Sequence, residues 1–213
     1  MSSFVGHSVA AVTVYVGTEF LIFPQAKSKS RSKLNNLLWI AWLIVVASIP
    51  DLDYVIDAWN SSNNEGLRIT HSILFSLIVP CFTIAVLLVR QRDIWRRSTE
   101  VVLASLSHLW LDFLVGVTPL PLLFPLIKTD YKLPFGILPS AAKIDLDNYY
   151  FYRNLRLEMG VLLPVFAIVC LLSIARIFWG KMHPAVKSSG IIAIALMVLC
   201  INHFLRQNLQ LPR

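Results

Sequence analysis

The sequence predicts an all-α fold, a polytopic helical membrane protein with about six transmembrane helices, on three observations. Hydrophobic residues make up 56% of the 213 and charged residues only 15%, with a positive mean hydropathy of +0.66. That is more apolar side chain than a soluble core of this size can hide, and lipid takes the excess. The apolar residues also gather into runs of about 18 to 25, enough for a helix to cross about 30 Å of hydrocarbon. Finally, the basic residues concentrate in alternate loops between those runs.

Taken in order, the expected spans are residues 4–23, 37–57, 69–89, 100–118, 157–179 and 189–205. The first is the most diluted, by Glu19 and several Thr and Gly. Its start lacks a basic n-region and a small-x-small cleavage signal, so it is expected to be retained rather than removed as a signal peptide. Pro80 and Pro164 fall inside spans, where neighbouring helices can satisfy the freed carbonyls, so they predict kinks rather than breaks.

Three loops carry more than half of the 19 basic residues. KSKSRSK holds Lys27, Lys29, Arg31 and Lys33; RQRDIWRR holds Arg90, Arg92, Arg96 and Arg97; the connection after span five holds Arg176, Lys181 and Lys187. The positive-inside rule assigns these loops to the cytoplasm of an inner, plasma membrane. The N-terminus, the 58–68 loop, the long 119–156 segment and the C-terminus then face outward. TPLPLLFPLIKTDYKLPFGILP is too long and too proline-rich for a simple turn and predicts a re-entrant or surface-lying element, while DLDNYYFYRN suits the membrane interface.

No repeat, low-complexity tract or boundary divides the chain, so one integral membrane domain over 1–213 is expected. Cys81, Cys170 and Cys200 lie in apolar runs without metal-site spacing and predict packing residues. The net charge of +7 follows from loop topology, so no nucleic-acid partner is expected. Nothing in the sequence fixes an oligomeric state.

Under this topology seven ionisable side chains collect on the non-cytoplasmic side. His7 lies at the outer end of span one, Asp51 and Asp53 of SIPDLDYVID at the outer end of span two, His71 at the start of span three, and Glu158 at the start of span five. His108 and Asp112 of SHLWLDF, one helical turn apart, share a face of span four, with His108 deeper. A lone histidine in an apolar run is ordinarily a hydrogen-bonded packing residue, and PDLD alone could merely end a helix; the combination points to a site. Ionisable groups inside spans are costly unless paired, wetted or metal-bound. Imidazole with carboxylate suits Zn²⁺ or Mn²⁺. Pro50 would end span two and turn the PDLD carboxylates into the pocket, one as a ligand and the other as a ligand or a base. Arg68 is either an interface anchor or a contact for an anionic substrate. Asp57, Glu65, Asp130, Asp145 and Asp147 are expected to be solvated loop charges, and His183 and His203 stand apart.

The ordered set of His7, SIPDLD, RITHS and SHLWLDFLVGVTPLPLLFPL resembles the YdjM-like family of inner-membrane-associated, metal-dependent hydrolases over about residues 1–160. Its His and Asp pattern is in turn similar to that of zinc-dependent phospholipase C and related nucleases. The resemblance implies a metal site at His7, Asp51, His71, His108 and Asp112, with Asp53 and Glu158 less firmly placed. The chain departs from the family's frequent Arg-Gly lead-in by reading Leu67-Arg68-Ile69-Thr70-His71, which bears on Arg68 more than on His71.

Together these readings predict a hydrolase with one to three divalent metals, Zn²⁺ favoured and Mn²⁺ the other candidate, acting on a phosphoester such as a phospholipid headgroup. Asp53 is the expected catalytic base and membrane lipids the expected surroundings. Two alternatives stay open: an ion or proton transporter, and a membrane scaffold with a structural metal.

Overall fold

A computed structural model describes residues 2–23, 33–54, 68–90, 93–138, 147–178, 192, 194–201 and 203–204, with the side chains of Asp53 and Tyr54 excepted. Five helices among these are long and apolar enough to cross a membrane: Phe4–Ile22, Lys33–Leu52, Ile73–Arg90, Ile94–Val115 and Tyr149–Phe178. We label their α-helical parts α1 (Phe4–Gly17), α2 (Lys33–Ser48), α3 (Ile73–Arg90), α4 (Ile94–Val115) and α5 (Tyr149–Phe178). The protein is an all-α membrane protein. Of the sixth expected span, residues 194–201 are helical, which leaves the count of six approximate.

The start of α1 and the turns that flank α2 and α3 follow from the local sequence. Ser3 caps α1, its hydroxyl accepting from the Gly6 N–H at 2.9 Å, the ordinary way to satisfy an orphan donor. α2 does not stop at Pro50 but tightens into a 3₁₀ turn, Ile49–Tyr54. A second 3₁₀ turn, Ile69–His71, leads into α3. Pro80 and Pro164 sit inside continuous helices, consistent with the expectation that neither breaks its span.

α4 packs against α1, α2 and α3, while α5 packs against α1. A buried apolar layer of Ala11, Leu43, Val46, Ala47, Val101 and Ala104 lies where α1, α2 and α4 meet. All six are buried, and the small residues among them let the helices approach closely. α3 is tied to α4 by Ser105, whose hydroxyl donates to the Ser76 carbonyl at 2.6 Å.

Three helices start earlier than the hydropathy predicts, α2 by taking in Lys33, expected in a basic loop. Arg96 and Arg97, expected in a loop, are buried within the first turns of α4. Acids accompany them: Arg96 Nη1 lies 2.5 Å from Glu19 Oε2, and Arg97 Nη1 lies 3.2 Å from Glu100 Oε2. Glu100 also accepts from Trp39 Nε1 at 2.5 Å, and the Arg97 guanidinium stacks 4.3 Å from the Trp39 ring centre. Paired charge is what makes their burial tolerable. α5 likewise begins at Tyr149, so the aromatic YYFYRN run is its first turns rather than part of a loop.

The segment after α4 folds back over the end of the bundle. Gly116 closes α4 with φ of 61°, and a Cβ there would lie 3.0 Å from the Gly136 Cα; a glycine is required on both counts. Leu120 and Tyr131 exchange backbone hydrogen bonds at 2.9 and 2.8 Å, and the Leu122 carbonyl accepts from the N–H of Ile73 at the start of α3. The Leu114 carbonyl takes the N–H groups of Ile137 and Leu138. Leu126 and Phe135 stay exposed on this cap. Cys81 and Cys200, expected to pack inside, are exposed, and Cys170 is half-buried; on a bundle in lipid such faces meet acyl chains.

Candidate metal centre

Five side chains from four helical elements converge beneath this cap. α1 supplies His7, the 3₁₀ turn after α2 supplies Asp51, the turn before α3 supplies His71, and α4 supplies His108 and Asp112. His7, His71 and His108 are fully buried and Asp112 nearly so, whereas the Asp51 side chain is 23% exposed. The cluster therefore opens toward Asp51.

The distances discriminate between two kinds of contact. His7 Nε2 lies 3.6 Å from Asp51 Oδ2 and 3.7 Å from Asp112 Oδ1. His71 Nε2 lies 3.6 Å from Asp51 Oδ1 and 3.3 Å from Asp112 Oδ2. His108 Nε2 lies 3.7 Å from Asp51 Oδ1 and 3.6 Å from Asp112 Oδ2. Hydrogen bonds between such atoms run shorter, about 2.7 to 3.2 Å. Donor atoms each held about 2.1 Å from one tetrahedral cation stand about 3.4 Å apart, which is the spacing found.

Two of the three rings are oriented from behind, while His7 Nδ1 has no hydrogen-bond partner among the described residues. His108 Nδ1 lies 2.7 Å from the Ala47 carbonyl, which only an N–H can satisfy, so the Nε2 of the neutral ring turns a lone pair inward. His71 Nδ1 contacts the Thr70 hydroxyl at 2.9 Å, and its Nε2 faces His108 Nε2 at 3.3 Å. The His7 and His108 rings stack 3.9 Å apart.

Several inward atoms have no hydrogen-bond partner: His7 Nε2, Asp51 Oδ1 and Asp112 Oδ2. Lone pairs aimed at one another with two carboxylates among them repel unless a cation sits between. His7, Asp51, His108 and Asp112 each offer a donor atom within 4.8 Å of the others. The cluster thus has the donors, the spacing and the formal charge of −2 that suit a divalent ion. His71 belongs to the 3₁₀ turn outside the spans. Burial pulls its pKa down, but the facing carboxylates of Asp112 and Asp51 outweigh that and hold it above the usual histidine value.

The remaining expected site residues lie elsewhere or only partly in view. Glu158, expected as a ligand, is fully buried but faces the start of α1, where the Ser2 hydroxyl and the Ser3 N–H donate to its carboxylate, the latter at 3.0 and 3.2 Å. Gly6 leaves it the room. Arg68 precedes the Ile69–His71 turn and is half-buried; its carbonyl accepts the His71 N–H at 2.9 Å. Asp53 lies in the 3₁₀ turn by its backbone, and its side chain falls outside the described residues. So do Asp57, Glu65, Asp145 and His183, while Asp130, Asp147 and His203 are exposed. Ser2, which no sequence pattern singles out, donates its N–H to Asp112 Oδ1 at 2.8 Å.

The YdjM inner membrane protein family model matches residues 1–182. The chain belongs to that family. The match runs past the 1–160 expected from motifs alone and takes in all of α5. No curated protein and no solved structure matches the chain. This YdjM-family protein is therefore an inner-membrane helical bundle with a buried His and Asp cluster able to hold a metal ion.

Proposed function

We propose that this YdjM-family protein is a membrane-embedded, metal-dependent hydrolase, acting on a phosphoester or lipid headgroup at the non-cytoplasmic face. One observation carries the reading: buried, unpartnered lone pairs of His7, Asp51 and Asp112 converge at the mutual spacing of ligands around one cation. His7, Asp51, His71, His108 and Asp112 would hold it. Zn²⁺ is the favoured ion because imidazole and carboxylate together suit it, with Mn²⁺ second. A divalent cation held there would supply Lewis acidity toward water and a phosphoryl oxygen.

The chain's own residues supply the rest. Four of the five donor side chains are shut away from solvent, and Asp51 stands at the opening, so substrate and water approach past Asp51. Asp53, two residues on in the same turn, is the group we assign to take the proton from that water. Arg68, three residues before His71, offers a guanidinium for a phosphoryl anion.

A transporter would need a polar route through the bundle. The buried layer of Ala11, Leu43, Val46, Ala47, Val101 and Ala104 argues against one, and the acids beyond it, Glu19 and Glu100, are engaged with Arg96 and Arg97. A scaffold with a structural metal calls for a closed site, and the exposure of Asp51 argues against that.

Metal analysis of protein purified in detergent tests the centre: zinc or manganese is expected near one or more equivalents, largely lost in His108→Ala. Incubation with labelled phospholipids and a generic phosphodiester tests the reaction. Turnover stopped by a chelator and cut sharply by Asp53→Asn supports the assignment, and full turnover in that variant removes Asp53 from the role.

A further inference from the structure

We infer that Glu158 is a positioning residue for the metal centre, acting through the first residues of the chain; this rests on the metal-centre reading above. Glu158 is fully buried on α5, and its described partners all lie at the start of α1. One carboxylate oxygen accepts from the Ser2 hydroxyl, and both lie within reach of the Ser3 N–H, at 3.0 and 3.2 Å. The carboxylate thus sits at the positive end of α1, where negative charge is stabilised.

The approach is possible only because position 6 is glycine. A Cβ on Gly6 would overlap Glu158 Oε1 and lie 2.9 Å from its carboxyl carbon. α1 and α5 are therefore fitted to each other around this one side chain. Ser3, held by Glu158 through its N–H, in turn caps α1 through its hydroxyl.

Ser2 transmits the constraint. Its hydroxyl is on Glu158, while its N–H donates to Asp112 Oδ1 at 2.8 Å. With Oδ1 held, the carboxylate plane of Asp112 is fixed and Oδ2 points at the imidazoles, 3.3 Å from His71 Nε2 and 3.6 Å from His108 Nε2. Two buried carboxylates on different helices are thereby joined through one serine: one sits among the donor atoms, the other does not. Outer partners of this kind typically alter metal affinity by about 10- to 100-fold when removed.

The test uses the full chain in detergent, titrated with Zn²⁺ and with Mn²⁺, and compares wild type with Glu158→Ala, Glu158→Gln, Ser2→Pro and the Ser2→Pro, Glu158→Ala double variant. Ser2→Pro removes the N–H that reaches Asp112 while leaving Glu158 in place. Amide hydrogen exchange of residues 2–7 is followed in the metal-free proteins. Loss of Glu158 is expected to speed that exchange and to weaken metal binding by about 10- to 100-fold, with Glu158→Gln between it and wild type. Ser2→Pro should weaken binding alike, and the double variant no further than either single, because both changes cut one path. Wild-type affinity in Glu158→Ala, weakened binding with unchanged exchange, or additive losses in the double variant would each overturn this role for Glu158 while leaving the metal centre intact. A wild-type protein that takes up neither metal sinks the centre and this role together.

Discussion

Replacing Asp112 by asparagine separates a metal centre from a merely polar core, because the two make opposite predictions for the metal-free protein. The amide oxygen of the new side chain can keep the hydrogen bond from Ser2 N–H, which Oδ1 now accepts at 2.8 Å. Its NH₂ then falls where Oδ2 stands, 3.3 Å from His71 Nε2 and 3.6 Å from His108 Nε2. A donor pointing at those nitrogens satisfies them and blocks a cation. It also removes one of the cluster's two carboxylates, the buried one. At a pH above the raised His71 pKa, where the facing ring is neutral, relief of an uncompensated buried charge is worth about 1 to 3 kcal/mol, so metal-free Asp112→Asn should there unfold at the same temperature as wild type or higher. Loss of a ligand with charge should weaken metal binding by at least about 100-fold, or about 2.7 kcal/mol. Thermal unfolding in detergent, with chelator and with excess Zn²⁺, reads both effects. Wild type should gain stability with zinc as mass action requires, and the variant should show almost none of that gain. A variant with an undiminished zinc response, or one clearly less stable than wild type under chelator, would refute the argument from unpartnered lone pairs.

Other outcomes follow from the same geometry. Because carboxylates hold the His71 pKa above the ordinary value, protons compete with metal there up to higher pH than for a free histidine. Metal affinity measured by competition titration should rise with pH across the range above about 6.5, and a flat profile contradicts this. Glu100→Ala leaves Arg96 and Arg97 buried with one acid fewer and should cost about 3 to 5 kcal/mol in unfolding; metal content, measured on the folded fraction, should not change. Leu43→Ala, at a side chain with no exposure, should cost about 2 to 5 kcal/mol through the cavity it leaves. Cysteines placed at position 60 or 145 should react with an impermeant reagent from outside intact cells, and protection at both reverses the orientation read from the basic loops.

Much of this was legible in the sequence because lipid imposes a simple grammar: long apolar runs mark spans, and charges inside them need a reason. That grammar located five of the helices, and the one-turn spacing of His108 and Asp112 correctly turned both toward one point, 3.6 Å apart. It failed where charge is buried in pairs. Arg96 and Arg97 read as loop residues because their partners, Glu19 and Glu100, lie on another helix or a turn further on, beyond the reach of a hydropathy window. It failed also where a backbone group does the orienting. The Ala47 carbonyl behind His108 and the Ser2 N–H on Asp112 have no side-chain signature. The sequence offers Glu158 as a candidate ligand, and nothing in its neighbours in sequence says that its partners are Ser2 and Ser3.

Along α4, Glu100 and His108 are eight residues apart, about 12 Å of helix, and alanines, valines and a leucine are packed at that level. The packed layer therefore divides the bundle's buried charge in two, with the His and Asp cluster on one side of it and the Arg and Glu pairs on the other.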